Sequence, residues 1–193
     1  MVAIPAWDSR GMLPAIDPLH PTNAERSPYD VKLEDFVLRF GFNPKRWEIL
    51  EGFLTYRSEL HREGIASGFQ WLDGSFVEDI ETIDRRAPND IDVVTFYNLP
   101  SNISQQQHLG NFQNSVLGRT RQDLKSMYKV DGFPVHLALP PEALVKMTSY
   151  WYSMWSHRRN SIWKGFLRID LAPLADQAAL TILRGLQAQG AQP

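Results

Sequence analysis

Asp90-Ile91-Asp92 opens a run, Asp90 to Tyr97, that is rich in β-branched and aromatic residues. Such a run favours a strand, and in a strand residues i and i+2 leave the same face. The two carboxylates then stand side by side, while Ile91 and Val93 turn toward a core. Neighbouring buried anions are costly to hold without a partner. Divalent cations would partner them. A pair of such ions, ~3.5–4 Å apart and held by carboxylates on rigid elements, clamps an in-line phosphoryl displacement. Mg²⁺ takes few carboxylates and fills its remaining positions with water and substrate phosphate oxygens. Upstream, Gly74-Ser75 follows an apolar run. Glycine there lets the backbone approach a ligand closely. The N–H groups of the next turn and the Ser75 hydroxyl can then hold phosphate. A phosphate cradle beside a metal-binding Asp pair describes a site for a nucleoside triphosphate.

The elements that must position these residues follow from periodicity and punctuation. Residues 1–30, rich in Pro, Asp and Asn, read as irregular. Residues 32–41 read as a short helix closed by Gly41. The clearest helix spans 43–64, with Asn43 as cap, Pro44 in the first turn and Gly64 as terminator. Trp47, Leu50, Leu54 and Leu60 fall near one face of it, with Phe53 alongside. A strand over 65–72 leads into a turn at Asp73-Gly74-Ser75, where a short helix could start. Residues 81–89 read as a polar loop before the 90–97 strand. Residues 103–128 read as helical with a break near Gly118. A third strand is expected over 128–140, a helix over 140–159, a further strand over 163–171 and a last helix over 173–189.

This order predicts an α/β (α+β) domain over 31–172, with a small mixed sheet and helices on one side. An irregular segment, 1–30, precedes it, and a C-terminal helix and tail, 173–193, follow. The length of 193 residues suits one such domain. A formal net charge of −2 excludes a generally basic nucleic-acid binder but leaves room for a local basic patch. With no cysteine, disulfides, thiolate metal sites and cysteine catalysis are excluded. The first residues lack a signal peptide's basic start and apolar core, and no apolar run approaches the ~20 residues of a membrane helix. A cytoplasmic protein is the expectation.

Gly-Ser, a gap, then Asp-hydrophobic-Asp-hydrophobic resembles the signature of the nucleotidyltransferase superfamily with the polymerase-beta-like fold. The gap here is fourteen residues, 76–89, longer than the usual one, and Asp73 stands where the signature has a hydrophobic residue. More loosely, "GFQWLDGSFVEDIE", "RAPNDIDVVTF" and "SMWSHRRNSIWKGFLRIDL" resemble an uncharacterised bacterial family of minimal nucleotidyltransferases. The resemblance implies a third acidic residue on a later strand, for which Asp131 is the candidate. It implies that Asp90 and Asp92 bind two Mg²⁺ or Mn²⁺ ions. Asp131 would join the catalytic ion and help deprotonate an acceptor hydroxyl. Gly74 and Ser75 would hold the triphosphate. Arg158, Arg159 and Lys164 would neutralise the outer phosphates, as cationic donors do. The implied reaction moves a nucleoside monophosphate from ATP or another triphosphate to a nucleic acid, nucleotide or protein hydroxyl. An antiviral-defence or toxin–antitoxin setting is implied too, with a partner protein encoded nearby.

Blander readings compete. Asp131-Gly132 is a common turn pair. Asp79 and Glu81 read as solvated loop charges, His136 as a satisfied strand histidine and His157 as a surface residue. Trp151, Tyr152 and Trp155 have the helical spacing of core packing, with base stacking as the alternative. Whole-chain rivals are a glycosyltransferase with an Asp-x-Asp metal site, a catalytically inactive nucleotidyltransferase fold that binds a partner, and a plain interaction domain.

Overall fold

In the computed structural model, which describes residues 3–190, helices and strands alternate through most of the chain. The order is β1 (Tyr29–Asp30), α1 (Leu33–Phe40), α2 (Pro44–Arg62), β2 (Ser67–Asp73), α3 (Ile80–Ile83), β3 (Ile91–Asn98) and α4 (Gln105–Asn111). There follow α5 (Arg121–Tyr128), β4 (Val130–His136), α6 (Pro141–Trp155), β5 (Leu167–Asp170) and α7 (Asp176–Gly190). α2 begins as its sequence dictates: the Asn43 side chain accepts the Arg46 N–H at 3.0 Å, and Pro44 needs no donor in that turn. Past its end, Gly64 takes φ +81°, a left-handed residue that a side chain disfavours.

The strands form one mixed sheet in the order β1-β5-β2-β3-β4. β2 runs antiparallel to both β3 and β5, while β3 and β4 are parallel. Parallel neighbours need a crossover, and residues 99–129, carrying α4 and α5, supply it. Leu72, Ile91, Val93, Val130, Leu167 and Ile169 turn to one face and form the main core with α1, α2, α5 and α7. Trp71, Val94, Phe96 and Val135 turn to the other face and meet Trp151 and Trp155 of α6 and Phe166. This corrects the expectation of helices on one side. The central strands are apolar on both faces, so each face needs a cover.

β4 is shorter than the 128–140 expected, and other elements differ in their bounds for local reasons. The last strand starts at Leu167, not 163, because the preceding N–H groups bond loops: Lys164 to the Ser156 carbonyl and Gly165 to that of Leu13. α6 stops at Trp155, and the chain turns into a bridge between His157 and Trp163. The 103–128 stretch breaks into α4, two 3-10 turns and α5. At Gly118 the backbone passes so close to the Phe112 carbonyl that a Cβ would lie 1.8 Å from its oxygen. Short elements appear where loops were expected: β1 at the end of the N-terminal segment and α3, Ile80–Ile83, which runs into the start of 81–89. That segment is packed, with Met12 and Leu13 buried and the Trp7 indole N–H donating to the Val77 carbonyl. Among the described residues, no helix is long and apolar enough to cross a membrane.

Candidate active site

Strand register sets three carboxylates in a row. Asp73, the last residue of β2, lies opposite Asp92 of β3, and Asp92 lies opposite Asp131 of β4. Alternation along each strand turns all three to the α6 face, in line with Trp71, Val94 and Phe133. Asp90 precedes β3 by one residue and joins the group: the Lys125 ammonium lies 2.9 Å from Asp90 and 2.8 Å from Asp131. Arg121, one turn before Lys125 on α5, grips Asp131 with two nitrogens, Nε at 2.6 Å. Arg121 and Lys125 thereby outweigh burial and hold the Asp131 carboxyl below the ordinary carboxylate range.

Asp92 has no such partner and forms no ion pair among the described residues. Burial first, then the charges of Asp73, Asp90 and Asp131, push its carboxyl up to about 7. Gly74 sits directly against it. The glycine takes φ +84°, and a Cβ there would lie 1.9 Å from Asp92 Oδ2. Any side chain at 74 would therefore displace the central carboxylate. Ser75 then opens a 3-10 turn, Ser75–Val77.

Behind that turn lies a buried charge network. Lys164, 4% exposed, places its ammonium 3.0 Å from Asp73 and 2.9 Å from Glu78. Arg158 reaches Glu78 at 3.2 Å and Asp84 at 2.9 Å. Lys164 was expected at phosphates; the structure makes it the partner that compensates Asp73 and Glu78. Burial raises the Asp73 carboxyl to about 6 even so. Arg159, just after Arg158, is exposed and forms no ion pair among the described residues.

All eight residues picked out by sequence line one cleft of about 960 Å³: Gly74, Ser75, Asp90, Asp92, Asp131, Arg158, Arg159 and Lys164. Asp73, Glu78, Arg121 and Lys125 line it too and were missed. Arg121 and Lys125 carried a readable signal, two cations four apart on one helix face ahead of a candidate Asp. Glu81 is corrected: it is not a solvated loop charge but accepts from the fully buried Arg46 at 2.7 and 2.8 Å. Trp151 and Trp155 are core residues, whereas Tyr152 is 39% exposed. His136 stacks on Tyr97, and His157 is exposed.

The chain belongs to DUF6932, a family of unknown function, whose model matches residues 5–170. No curated protein and no solved structure matches the chain. The DUF6932 match takes in the whole carboxylate row, the Gly74-Ser75 turn and the Arg158–Lys164 segment, and also most of the N-terminal segment packed beneath them.

The donor set suits a hard divalent cation. Its atoms are carboxylate oxygens, as Mg²⁺ and Mn²⁺ prefer, and the central one is crowded by like charge. Among the described residues, no three His, Cys, Asp or Glu side chains already gather as a metal-binding group. Asp90 and Asp131 are engaged by Lys125 and Arg121, so loading the site means releasing at least part of those pairs.

Proposed function

We propose that this protein is a metal-dependent nucleotidyltransferase, moving an NMP or dNMP from a nucleoside triphosphate to an acceptor hydroxyl. The observation that carries the reading is Asp92 in register between Asp131 and Asp73, with Asp90 beside it and the Gly74-Ser75 turn against its carboxylate. Asp90, Asp92 and Asp131 would hold Mg²⁺ or Mn²⁺, two ions in the full site. Bound there, the ions would neutralise phosphate charge and acidify the acceptor hydroxyl.

The chain's own groups do the rest. The Ser75 hydroxyl and the N–H groups of its turn bind the triphosphate. Lys164 and Glu78 fix that turn from behind. Arg159 at the mouth is the cation left for the outer phosphates. Asp131 receives the acceptor proton as the acceptor oxygen bonds the α-phosphorus, and the bond to the β-phosphate oxygen breaks to release pyrophosphate. Catalysis of this kind is positioning and charge stabilisation. A bacterial antiviral or toxin–antitoxin role is part of the proposal, and the neighbouring genes test it.

One observation favours a second reading, a fold that binds nucleotide without turnover: Lys125 and Arg121 already neutralise Asp90 and Asp131. A single assay separates the two. Purified protein is incubated with each labelled ribo- and deoxyribonucleoside triphosphate, Mg²⁺ or Mn²⁺, and RNA, nucleotide or protein acceptors. Transfer with pyrophosphate release that vanishes in Asp90→Ala is the expected result. Triphosphate binding without transfer under every condition sinks the enzyme reading in favour of the binding module.

A further inference from the structure

The cleft has two unlike walls. The carboxylates and cations form one. The other is apolar and belongs to α6 and β4. Tyr150 and Met154, four apart and so on one helix face, line the cleft while remaining 51% and 43% exposed. Behind them Trp151 packs on Phe133 at 4.4 Å and takes the Tyr150 ring edge-on at 5.1 Å. Exposed aromatic and thioether surface inside a polar cleft offers a flat apolar occupant a place to pack.

This wall adjoins one particular carboxylate. Asp131 and Phe133 are i and i+2 on β4, on the same face and ~7 Å apart. That separation is comparable with the span from a nucleobase to its own ribose hydroxyls. Arg121 ties the two together. It bonds Asp131 through Nε at 2.6 Å and lays its guanidinium 4.7 Å over the Phe133 ring. Its side chain is still 59% exposed, so the outer face of the planar guanidinium, stacked on Phe133, is offered beside the proton-accepting carboxylate. Arg86, exposed on the same cleft with Asp84 3.8 Å away, suits the phosphates of a chain leaving the site.

Building on the nucleotidyltransferase reading, we propose that Tyr150, Met154 and the Arg121 guanidinium stacked on Phe133 seat the terminal nucleobase of the acceptor, so that the acceptor is a single-stranded nucleic acid end. Duplex bases are stacked on one another and have no free face for such a wall, whereas single-strand binders use aromatic platforms of this kind. Serine, threonine and sugar acceptors bring no aromatic ring to such a wall, and a tyrosine brings no phosphates for the cation beside it.

Binding is measured apart from turnover, by fluorescence anisotropy of a labelled eight-nucleotide single-stranded RNA in Mg²⁺. The same RNA as a duplex and the nucleoside triphosphates run alongside. The wild type is expected to bind the single strand and not the duplex. Tyr150→Ala is expected to weaken it roughly tenfold, with Tyr150→Phe close to wild type and triphosphate binding unchanged in both. If the protein binds no single strand, or binds duplex equally, the proposal is overturned whatever the transfer assay shows. If Tyr150→Ala weakens triphosphate binding and spares the RNA, the wall belongs to the donor base and the acceptor assignment is wrong. Should RNA bind as expected while no transfer occurs, the surface stands and the enzyme reading alone fails.

Discussion

On the α2 face of the sheet, Arg46 and Arg57 are fully buried and fully met. Arg46 bonds both Glu81 oxygens and the carbonyls of Phe76 and Glu78. Arg57 bonds both Asp176 oxygens, the Gln70 side chain and two further carbonyls. On the α6 face, Asp92 is only partly buried, and the charges that act on it most are three more carboxylates, Asp73, Asp90 and Asp131. The first arrangement joins helices to the sheet and leaves no charge over. The second crowds carboxylates around one that a proton or a bound cation would relieve, the kind of mismatch that recurs where stability is given up for function.

The sharpest test of this contrast is Arg57→Met. It strands Asp176 and three oxygen acceptors, so unfolding free energy is expected to fall by about 3–5 kcal/mol in urea titration. A loss below about 1 kcal/mol would show that the α2-face network does not hold the fold. Asp92→Asn is expected to do the reverse in metal-free buffer. It keeps the shape beside Gly74 and removes the repulsion, so stability should rise by about 1 kcal/mol. Nucleotide transfer should drop at least about 100-fold in the same protein. A destabilised Asp92→Asn variant would make the carboxylate structural and erase the contrast. The smallest effect concerns pH. Burial acts to raise the Glu81 carboxyl, but hydrogen bonds from Arg46 and Asn43 together hold it below its ordinary 4.5. A depressed folded-state value means stability present above 4.5 and lost as pH falls through the lower folded value. The stability gap between wild type and Glu81→Gln should therefore narrow in acid, as thermal melts across that range would report.

What the sequence made legible was local. Asn43, Pro44 and Gly64 announce α2 because caps act over one turn, and the 90–97 run announces β3 because alternation needs no partner. The Asp90–Asp92 pair and the Gly-Ser turn are short-range patterns as well, and both line the cleft. Asp131 came only through the resemblance; its place opposite Asp92 depends on strand register, which no local pattern carries. The choice of sheet face for α6 was hidden for a similar reason: Trp151 and Trp155 announce burial without saying against what. The ion pairs of Lys164 were hidden because its partners, Asp73 and Glu78, lie 91 and 86 residues away. Asp73 itself, a departure from the signature, is explained by that buried lysine.

The crossover between β3 and β4 has an engineering use. Asp92 and Asp131 are neighbours in space, yet the whole of residues 99–129 separates their strands along the chain. The loop at Ser101–Asn102 is exposed and sits past the far end of β3, ~20 Å from Asp92 along the strand. Lengthening such a loop adds little closure entropy, so a fluorophore, affinity tag or small reporter domain could be spliced in there without moving either carboxylate. A slip of one residue between β3 and β4 would be another matter, swinging Asp131 onto the α2 face and dismantling the cleft.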